Sequence, residues 1–338
     1  MFRQPVFRIS LLSACLLALL GGQGTAQSAD DVHVTPRTKT ENPPPPPADG
    51  IEVRLRPVRV DVNLVLVPVM VTDSKGTPVM DLARDDFKLF EGDKEQQVQY
   101  FYSEDAPISV GIIVDISGSM SNKVERVREA VDEFFKLADP ADDYFVITFA
   151  NRPKVLANPT QSTDIIESKL GEMKAKGGTA LADAIYMGLK KLKSAQYRRK
   201  ALLIISDGGD NSSRHTLRSV RNLAKESDAE IYAIDVCDAP RVLLTAKLEE
   251  KFGRQWLTQV TEVTGGRTIA VDNASKIPAA AARISMELRN QYVLAYHPAS
   301  TDGGWKKLRV KVTRAATEFP YQVYYKTGYL ARKEEEGN

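Results

Sequence analysis

Residues 108–119 read Ile-Ser-Val-Gly-Ile-Ile-Val-Asp-Ile-Ser-Gly-Ser. Apart from Ser109, the first seven are apolar or glycine and typical of a buried strand, and an amphipathic segment follows from about residue 121 to residue 138. The residues between them therefore predict a tight turn from a strand into a helix. This turn carries one carboxylate and two hydroxyls at alternating positions, Asp115, Ser117 and Ser119. Hard oxygen ligands on one short loop suit a small hard cation such as Mg²⁺.

The surrounding region, residues 107–290, alternates between apolar strand patterns and amphipathic helix patterns. Strands are predicted at residues 108–114, 144–149, 201–205, 230–236 and 268–271. Helices are predicted at residues 124–137, 164–173, 180–192, 216–225, 248–263 and 275–288. Such alternation predicts an α/β fold with a doubly wound, mostly parallel sheet that is covered by helices on both faces. In these folds ligands bind beyond the carboxyl ends of the strands, which is where Asp115 stands.

Two further polar loops have a comparable position in this pattern. Thr179 follows two glycines and immediately precedes the third predicted helix, while Asp207 directly follows the strand at residues 201–205. Loops that follow neighbouring strands or begin helices meet at one edge of a doubly wound sheet. We therefore expect Thr179 and Asp207 to share one site with Asp115, Ser117 and Ser119.

Taken in order, these residues resemble the metal-ion-dependent adhesion site of von Willebrand factor type A (VWA) domains, which reads Asp-x-Ser-x-Ser, then Thr, then Asp. The resemblance covers residues 107–290 and implies a Rossmann-like fold. It implies that Ser117, Ser119 and Thr179 bind the cation directly, whereas Asp115 and Asp207 act through bound water. It further implies that an acidic side chain of a protein partner completes the coordination. Mg²⁺ is the expected ion, with Mn²⁺ and Ca²⁺ as alternatives.

Each of these residues also has an ordinary structural interpretation. Ser117, Ser119 and Thr179 could cap helices through their hydroxyls. Asp207, which is followed by a glycine, could simply belong to a turn. Asp210 and the asparagine after it are expected to be solvated loop residues. The metal-site interpretation is favoured because all three loops occur in the order that the VWA resemblance requires.

The two flanks of the central region read as β-strands. Residues 51–104 and 291–330 both contain alternating, β-branched and aromatic runs bounded by turns. Because unpaired strand edges are prone to aggregation, we expect the two flanks to combine into one β-sandwich, into which the central domain is inserted. Two separate β modules are the alternative. The flanks also resemble the bacterial secreted VWFA-related proteins.

The amino-terminal residues predict export from the cytoplasm. Residues 1–26 resemble a secretory signal peptide, with Arg3 and Arg8 before an apolar stretch at residues 9–20. A secreted, periplasmic or cell-envelope location is therefore expected, with lipid attachment at Cys15 as a less favoured alternative. No other segment is expected to span a membrane.

Two further segments are expected to lie outside the folded domains. Residues 27–50 predict a proline-rich, disordered linker, and residues 331–338 predict a charged tail. Cys237, which follows a strand pattern, is expected to be a buried and unreactive thiol.

The composition and the histidines narrow the range of functions. The net charge of +2 and the absence of a basic stripe argue against nucleic-acid binding. The three histidines form no metal-spacing pair and no Ser/His/Asp arrangement, and only His215 lies near a candidate site residue. We therefore expect the protein not to be an enzyme. The favoured function is a secreted, divalent-cation-dependent protein-binding module for adhesion or scaffolding. The alternatives are a structural envelope protein with a stabilising metal and, less favoured, a metal-dependent hydrolase.

Overall fold

A computed structural model describes residues 64–103, 106–236, 244–298, 302–314 and 320–331, which all belong to one compact unit, residues 59–338. The predicted leader, the linker, Cys237 and the tail from residue 332 lie outside the described residues. The same holds for residues 51–63 of the amino-terminal β segment.

The described residues form fourteen strands and six α-helices. They are β1 (Val65–Thr72), β2 (Phe87–Glu91), β3 (Lys94–Gln96), β4 (Tyr100–Ser103), β5 (Ile108–Asp115), α1 (Val124–Phe135), β6 (Asp143–Phe149), β7 (Pro153–Thr160), α2 (Thr163–Gly171), α3 (Leu181–Leu192), β8 (Arg199–Ser206), α4 (Leu217–Glu226), β9 (Ala229–Val236), α5 (Leu244–Thr264), β10 (Thr268–Val271), α6 (Ile277–Arg289), β11 (Tyr292–Tyr296), β12 (Trp305–Val312), β13 (Gln322–Tyr325) and β14 (Gly328–Leu330).

The central region forms a six-stranded sheet in the order β10-β9-β8-β5-β6-β7. Every pair of neighbours is parallel except β6 and β7. Buried side chains of α1, α2 and α6 pack on one face, and those of α3, α4 and α5 pack on the other. The α/β fold with a mostly parallel sheet, predicted from the sequence, is therefore confirmed.

The edge strand β7 is absent from the sequence prediction. It runs antiparallel to β6 with two irregular steps in register, and it contains Pro153 and Pro159. Proline removes a backbone donor and is confined to strand edges, so the composition of this segment argues against a strand. The predicted strands of the central sheet agree with the structure to within two residues. The helix α5 begins four residues earlier than expected.

The flanking strands form two further sheets, in the orders β13-β1-β11-β4 and β14-β12-β2-β3. Each sheet joins strands from before and after the central region, since β1 pairs with β11 and β2 pairs with β12, both antiparallel. Side chains from both sheets, among them Val69, Leu89, Tyr292 and Leu308, belong to one buried apolar cluster.

Candidate metal centre

The carboxylate of Asp115 lies at the carboxyl end of the central strand β5 and is 1% exposed. Its Oδ1 accepts a hydrogen bond of 2.8 Å from the Ser117 backbone N–H. Its Oδ2 accepts one of 2.6 Å from the Ser206 hydroxyl, at the end of the neighbouring strand β8. The two bonds hold the carboxylate between the ends of β5 and β8.

The hydroxyls of Ser117 and Ser119 lie side by side, with their Oγ atoms 3.1 Å apart. Ser117 precedes a single 3-10 turn, Gly118–Met120, but its side chain makes no capping hydrogen bond. The capping interpretation of Ser117 is therefore wrong. Two oxygens that bind Mg²⁺ at about 2.0–2.1 Å on adjacent octahedral positions lie about 2.9 Å apart. The spacing of the two hydroxyls is close to this value.

Backbone hydrogen bonds join the Ser117 loop to the end of β6 and to the segment before α3. The N–H of Ile116 donates to the Phe149 carbonyl at 2.8 Å, and the Ile116 carbonyl accepts from the Lys176 N–H at 2.8 Å. The N–H of Gly118 donates to the carbonyl of Gly177, which has a φ of 97°. This left-handed backbone explains the glycine and brings the segment before Thr179 against the Ser117 loop.

Thr179 is 5% exposed, and the Asn211 loop satisfies its backbone. Its N–H donates to Asn211 Oδ1 at 2.9 Å, and its carbonyl accepts from the Asn211 and Ser212 N–H groups. The first turn of α3 is capped by other residues. Asp210 Oδ2 accepts from the Ala182 N–H, and Ser213 Oγ accepts from the Asp183 N–H. Thr179 is therefore not the helix cap that the sequence allowed.

Asp210 and Asn211 are exposed loop residues, as expected, but they also have structural roles that the sequence did not predict. Asp210 caps α3, and the Asn211 side chain holds the Thr179 backbone. No sequence pattern assigns these roles, because they depend on two loops that lie more than 25 residues apart in the chain. The general preference of aspartate and asparagine for helix caps and turns was the available signal.

Asp207 follows β8 directly and is half-buried. The next residue, Gly208, has a φ of 80°, and its N–H donates to Ser206 Oγ at 3.1 Å. A Cβ atom built on Gly209 would lie 3.6 Å from Asp207 Oδ1 and 3.9 Å from Thr179 Oγ1. The Asp207 carboxylate and the Thr179 hydroxyl therefore both face the backbone at Gly209.

The two carboxylates influence each other electrostatically. Burial and, to a lesser extent, the nearby Asp207 carboxylate raise the pKa of the Asp115 carboxyl to about 6, although hydrogen bonds from Ser117 and Ser206 act in the opposite direction. A cation at this edge would offset both the burial and the repulsion. Three hydroxyls and two carboxylates are hard oxygen donors and fit Mg²⁺. Within the described residues, no cluster of three or more His, Cys, Asp or Glu side chains could hold a metal ion.

His215 lies farther along the loop that follows Asp207, where it contacts Asp183 at the start of α3. Its ring Nδ1 lies 2.7 Å from Asp183 Oδ1, which also accepts hydrogen bonds from the backbone N–H groups of Arg214 and His215. The Tyr186 ring stacks on the imidazole, with centroids 3.8 Å apart. These contacts anchor the loop to α3. None of the contacts within the described part of the chain joins His215 to Asp207.

Comparisons with known proteins identify the central region. Residues 110–209 match the family model described as von Willebrand factor type A domain. The chain is 26% identical over 153 residues to the human inter-alpha-trypsin inhibitor heavy chain H4, which covers 40% of this chain and 16% of that protein. It is 23% identical over 188 residues to an uncharacterized protein of Borreliella burgdorferi, which covers 50% of this chain and 55% of that protein. The chain therefore spans less than two thirds of the length of both relatives.

Several solved structures are similar to this one. A von Willebrand factor type A protein from Catenulispora acidiphila aligns with a TM-score of 0.47 and 12% identity, covering 68% of this chain and 67% of that one. The PilB minor pilin from Streptococcus sanguinis aligns with a TM-score of 0.44 and 15% identity, covering 56% and 62%. The pilus adhesin SpaC from Lactobacillus rhamnosus GG aligns with a TM-score of 0.45 and 15% identity, covering 60% and 34%.

Proposed function

Starting from a VWA domain that is confirmed at residues 110–209, we propose that this protein is a divalent-cation-dependent protein-binding module. Ser117, Ser119 and Thr179 bind Mg²⁺ through their hydroxyls, with Mn²⁺ or Ca²⁺ as alternatives. Asp115 and Asp207 hold the site through bound water. The observation that carries the proposal is the 3.1 Å spacing of the Ser117 and Ser119 hydroxyls beside the buried Asp115 carboxylate.

The charge of the donor set favours an acidic partner. The three direct ligands are neutral hydroxyls, and the only two carboxylates act indirectly, so the bound cation keeps most of its positive charge. Mg²⁺ prefers octahedral oxygen coordination and readily keeps exchangeable positions. A carboxylate on another protein fills such a position and neutralises the charge. This chemistry gives adhesion or scaffolding that depends on the cation.

The surrounding chain supports a role outside the cytoplasm. The leader-like residues 1–26 favour a secreted, periplasmic or envelope protein, with lipid attachment at Cys15 as the alternative. Among the residues that the structure describes, no helix is long and apolar enough to cross a membrane. The two flanking sheets share one buried cluster, which supports a single β-sandwich module that carries the central domain.

Cation binding provides the first test. The chain without its predicted leader is titrated with Mg²⁺ and Mn²⁺ by calorimetry, beside Ser117→Ala and a matched Ser168→Ala control on the exposed surface of α2. We expect the original chain and the control to bind one ion, and we expect Ser117→Ala to lose at least about tenfold in affinity because one of three direct ligands is gone. Equal affinity in Ser117→Ala would contradict the proposal.

Partner capture provides the second test. The same three proteins are used as bait in cell-envelope and culture extracts, with Mg²⁺ or with EDTA. A protein that is retained only with Mg²⁺, and only by the original chain and the Ser168→Ala control, supports the binding function. A chain that binds Mg²⁺ but retains equal material under all conditions favours the structural alternative, in which the metal only stabilises the loops.

Catalysis is not part of the proposed function. His215 is the histidine nearest in sequence to Asp207, and its Nδ1 is engaged by Asp183. Hydrolysis of a generic phosphate ester by the Mg²⁺-loaded chain, lost in Ser117→Ala and in His215→Ala, would favour the hydrolase alternative instead.

A further inference from the structure

A surface groove of about 380 Å³ runs between the helices α4 and α5. Its lining residues are two arginines, two glutamines and two apolar side chains: Leu217, Arg218, Arg221, Gln255, Trp256 and Gln259. The groove is therefore cationic and partly apolar, and none of these lining residues carries a negative charge.

The cationic groups of this groove have few partners of their own. Arg221 donates one long hydrogen bond of 3.4 Å to Gln259 Oε1, and its buried Nε has no hydrogen-bond partner among the side chains that the structure describes. No ion pair among the described residues involves Arg218 or Arg221. A buried guanidinium N–H that lacks an acceptor is unfavourable. Carboxylates match the fork of N–H groups that an arginine presents.

The apolar part of the groove lies beside these arginines. Leu217 is 42% exposed, whereas the Trp256 ring is 7% exposed and its Nε1 donates to the Leu217 carbonyl at 3.4 Å. Leu217 is the first residue of α4, and Thr216 caps this helix by accepting from the Ser219 N–H. A rigid helix start thus presents an apolar side chain next to two positive charges.

The groove adjoins the candidate metal centre. The helix α5 touches the Asp207 loop, because a Cβ atom built on Gly253 would lie 2.0 Å from the Gly208 carbonyl oxygen. Trp256 of the groove is three residues beyond Gly253 and therefore its neighbour on the helix surface, and α4 follows the same loop in the chain. The groove therefore lies beside the loop that carries Asp207.

We propose that the groove between α4 and α5 is a second docking site, which binds an acidic peptide segment containing one apolar side chain. The carboxylates of the segment pair with Arg218 and Arg221, and its apolar side chain packs on Leu217 and Trp256. This inference extends the proposed function by naming the segment of the partner that lies next to its metal-binding acid. Docking in the groove itself requires no metal.

The test uses the fluorescence of Trp256 in the chain without its predicted leader. Trp305→Phe removes the other tryptophan, which lies on β12. The probe is the capped peptide Glu-Glu-Leu-Glu-Glu, beside its Gln-Gln-Leu-Gln-Gln and Glu-Glu-Gly-Glu-Glu analogues, each titrated with Mg²⁺ or EDTA. Arg218→Gln with Arg221→Gln is compared with Lys169→Gln with Lys193→Gln, which removes the same charge from exposed positions outside the groove.

The Glu-Glu-Leu-Glu-Glu peptide is expected to bind equally with Mg²⁺ and EDTA, more weakly at high salt, and about tenfold more weakly to the arginine variant than to the lysine control. Both analogues are expected to bind more weakly. Equal affinity in the two variants, equal affinity for the glutamine peptide, or binding that EDTA abolishes would each overturn the proposal. A Tm in EDTA that equals that of the lysine control shows that the arginine variant is folded, whether or not the chain binds Mg²⁺. A chain that binds the peptide but no Mg²⁺ would contradict only the proposed function.

Discussion

Thr179 illustrates how the site keeps its hydroxyls available. Its backbone N–H and carbonyl are satisfied by the Asn211 loop, and Asp210 and Ser213 cap the helix that follows. Since capping is assigned to these neighbours, the Thr179 side chain is not needed to begin α3. The same holds for Ser117, whose hydroxyl faces that of Ser119 instead of a backbone N–H.

Thermal unfolding can test whether the Thr179 hydroxyl binds the cation. Thr179→Ala should remove the rise in Tm that Mg²⁺ causes in the original chain, whereas Thr179→Ser, which keeps the hydroxyl, should retain most of it. Differential scanning calorimetry with about 5 mM Mg²⁺ or with EDTA measures the Tm of both variants. In EDTA the two variants should differ little. A full Mg²⁺ effect in Thr179→Ala would exclude this residue as a ligand.

Asp183 provides a prediction about pH. Burial raises the pKa of its carboxyl, but hydrogen bonds from His215 and Arg214 outweigh this effect, so the pKa lies below its ordinary value of 3.8. A lowered pKa stabilises the fold above pH 3.8, and this contribution is lost as the pH falls through the folded-state value.

The measurement compares Asp183→Asn with the original chain by urea unfolding at several pH values. The variant should be less stable by about 1 kcal/mol at pH values of about 6. The difference should shrink steadily once the pH falls below about 4. The exposed Asp93→Asn variant controls for the loss of one charge. A difference that stays constant over the whole range would show that Asp183 acts independently of its ionisation.

The packing of the central strand β5 depends on Gly111, which has no side chain. A Cβ atom built on Gly111 would lie 2.4 Å from the Phe145 ring and 2.6 Å from Leu202 Cδ2, so the neighbouring strands β6 and β8 fill the space over this residue. Overpacking of this kind typically costs about 1–3 kcal/mol. The strands β6 and β8 therefore pack closely on both sides of β5, which ends at Asp115.

We therefore expect Gly111→Ala to lower the free energy of unfolding by about 1–3 kcal/mol. Gly171→Ala is the matched control, because a Cβ atom built there meets no atom within 4 Å. Urea unfolding measures both variants. An unchanged stability in Gly111→Ala would mean that the Phe145 ring moves aside at little cost.

At the scale of the whole molecule, the two flanks depend on each other. The strand β11 lies between β1 and β4, and β12 lies between β14 and β2. Contacts also join these sheets to the central domain, since the Thr327 N–H donates to the Val263 carbonyl at 3.3 Å and Arg267 donates to the Tyr324 hydroxyl at 3.1 Å.

Deletion of residues 51–104 tests this dependence. The amide hydrogens of β11 and β12 should then exchange rapidly with solvent, because their partner strands β1, β2 and β4 are gone. Those of β5 and β8 should remain protected, since all their neighbours lie in the central sheet. Hydrogen exchange measured by mass spectrometry distinguishes the two regions. Undiminished protection of β11 would show that the flanks fold separately.

The sequence by itself determined the five parallel strands of the central sheet and the candidate site residues of this protein. Strands that are buried on both faces, such as β5 and β8, are apolar over most of their length, and amphipathic helices repeat with their own period, so both are visible in local windows. The polar residues at the ends of these elements were recognisable because the topology brings such ends to one edge of the sheet.

Only the tertiary structure decided which segments meet. The pairing of β1 with β11 joins residues more than 220 positions apart, and the edge strand β7 forms against β6 despite its prolines. The roles of Asp210 and Asn211 exist only because their loop reaches the start of α3. Such contacts arise from the packing of the whole chain, whereas composition and periodicity describe one segment at a time.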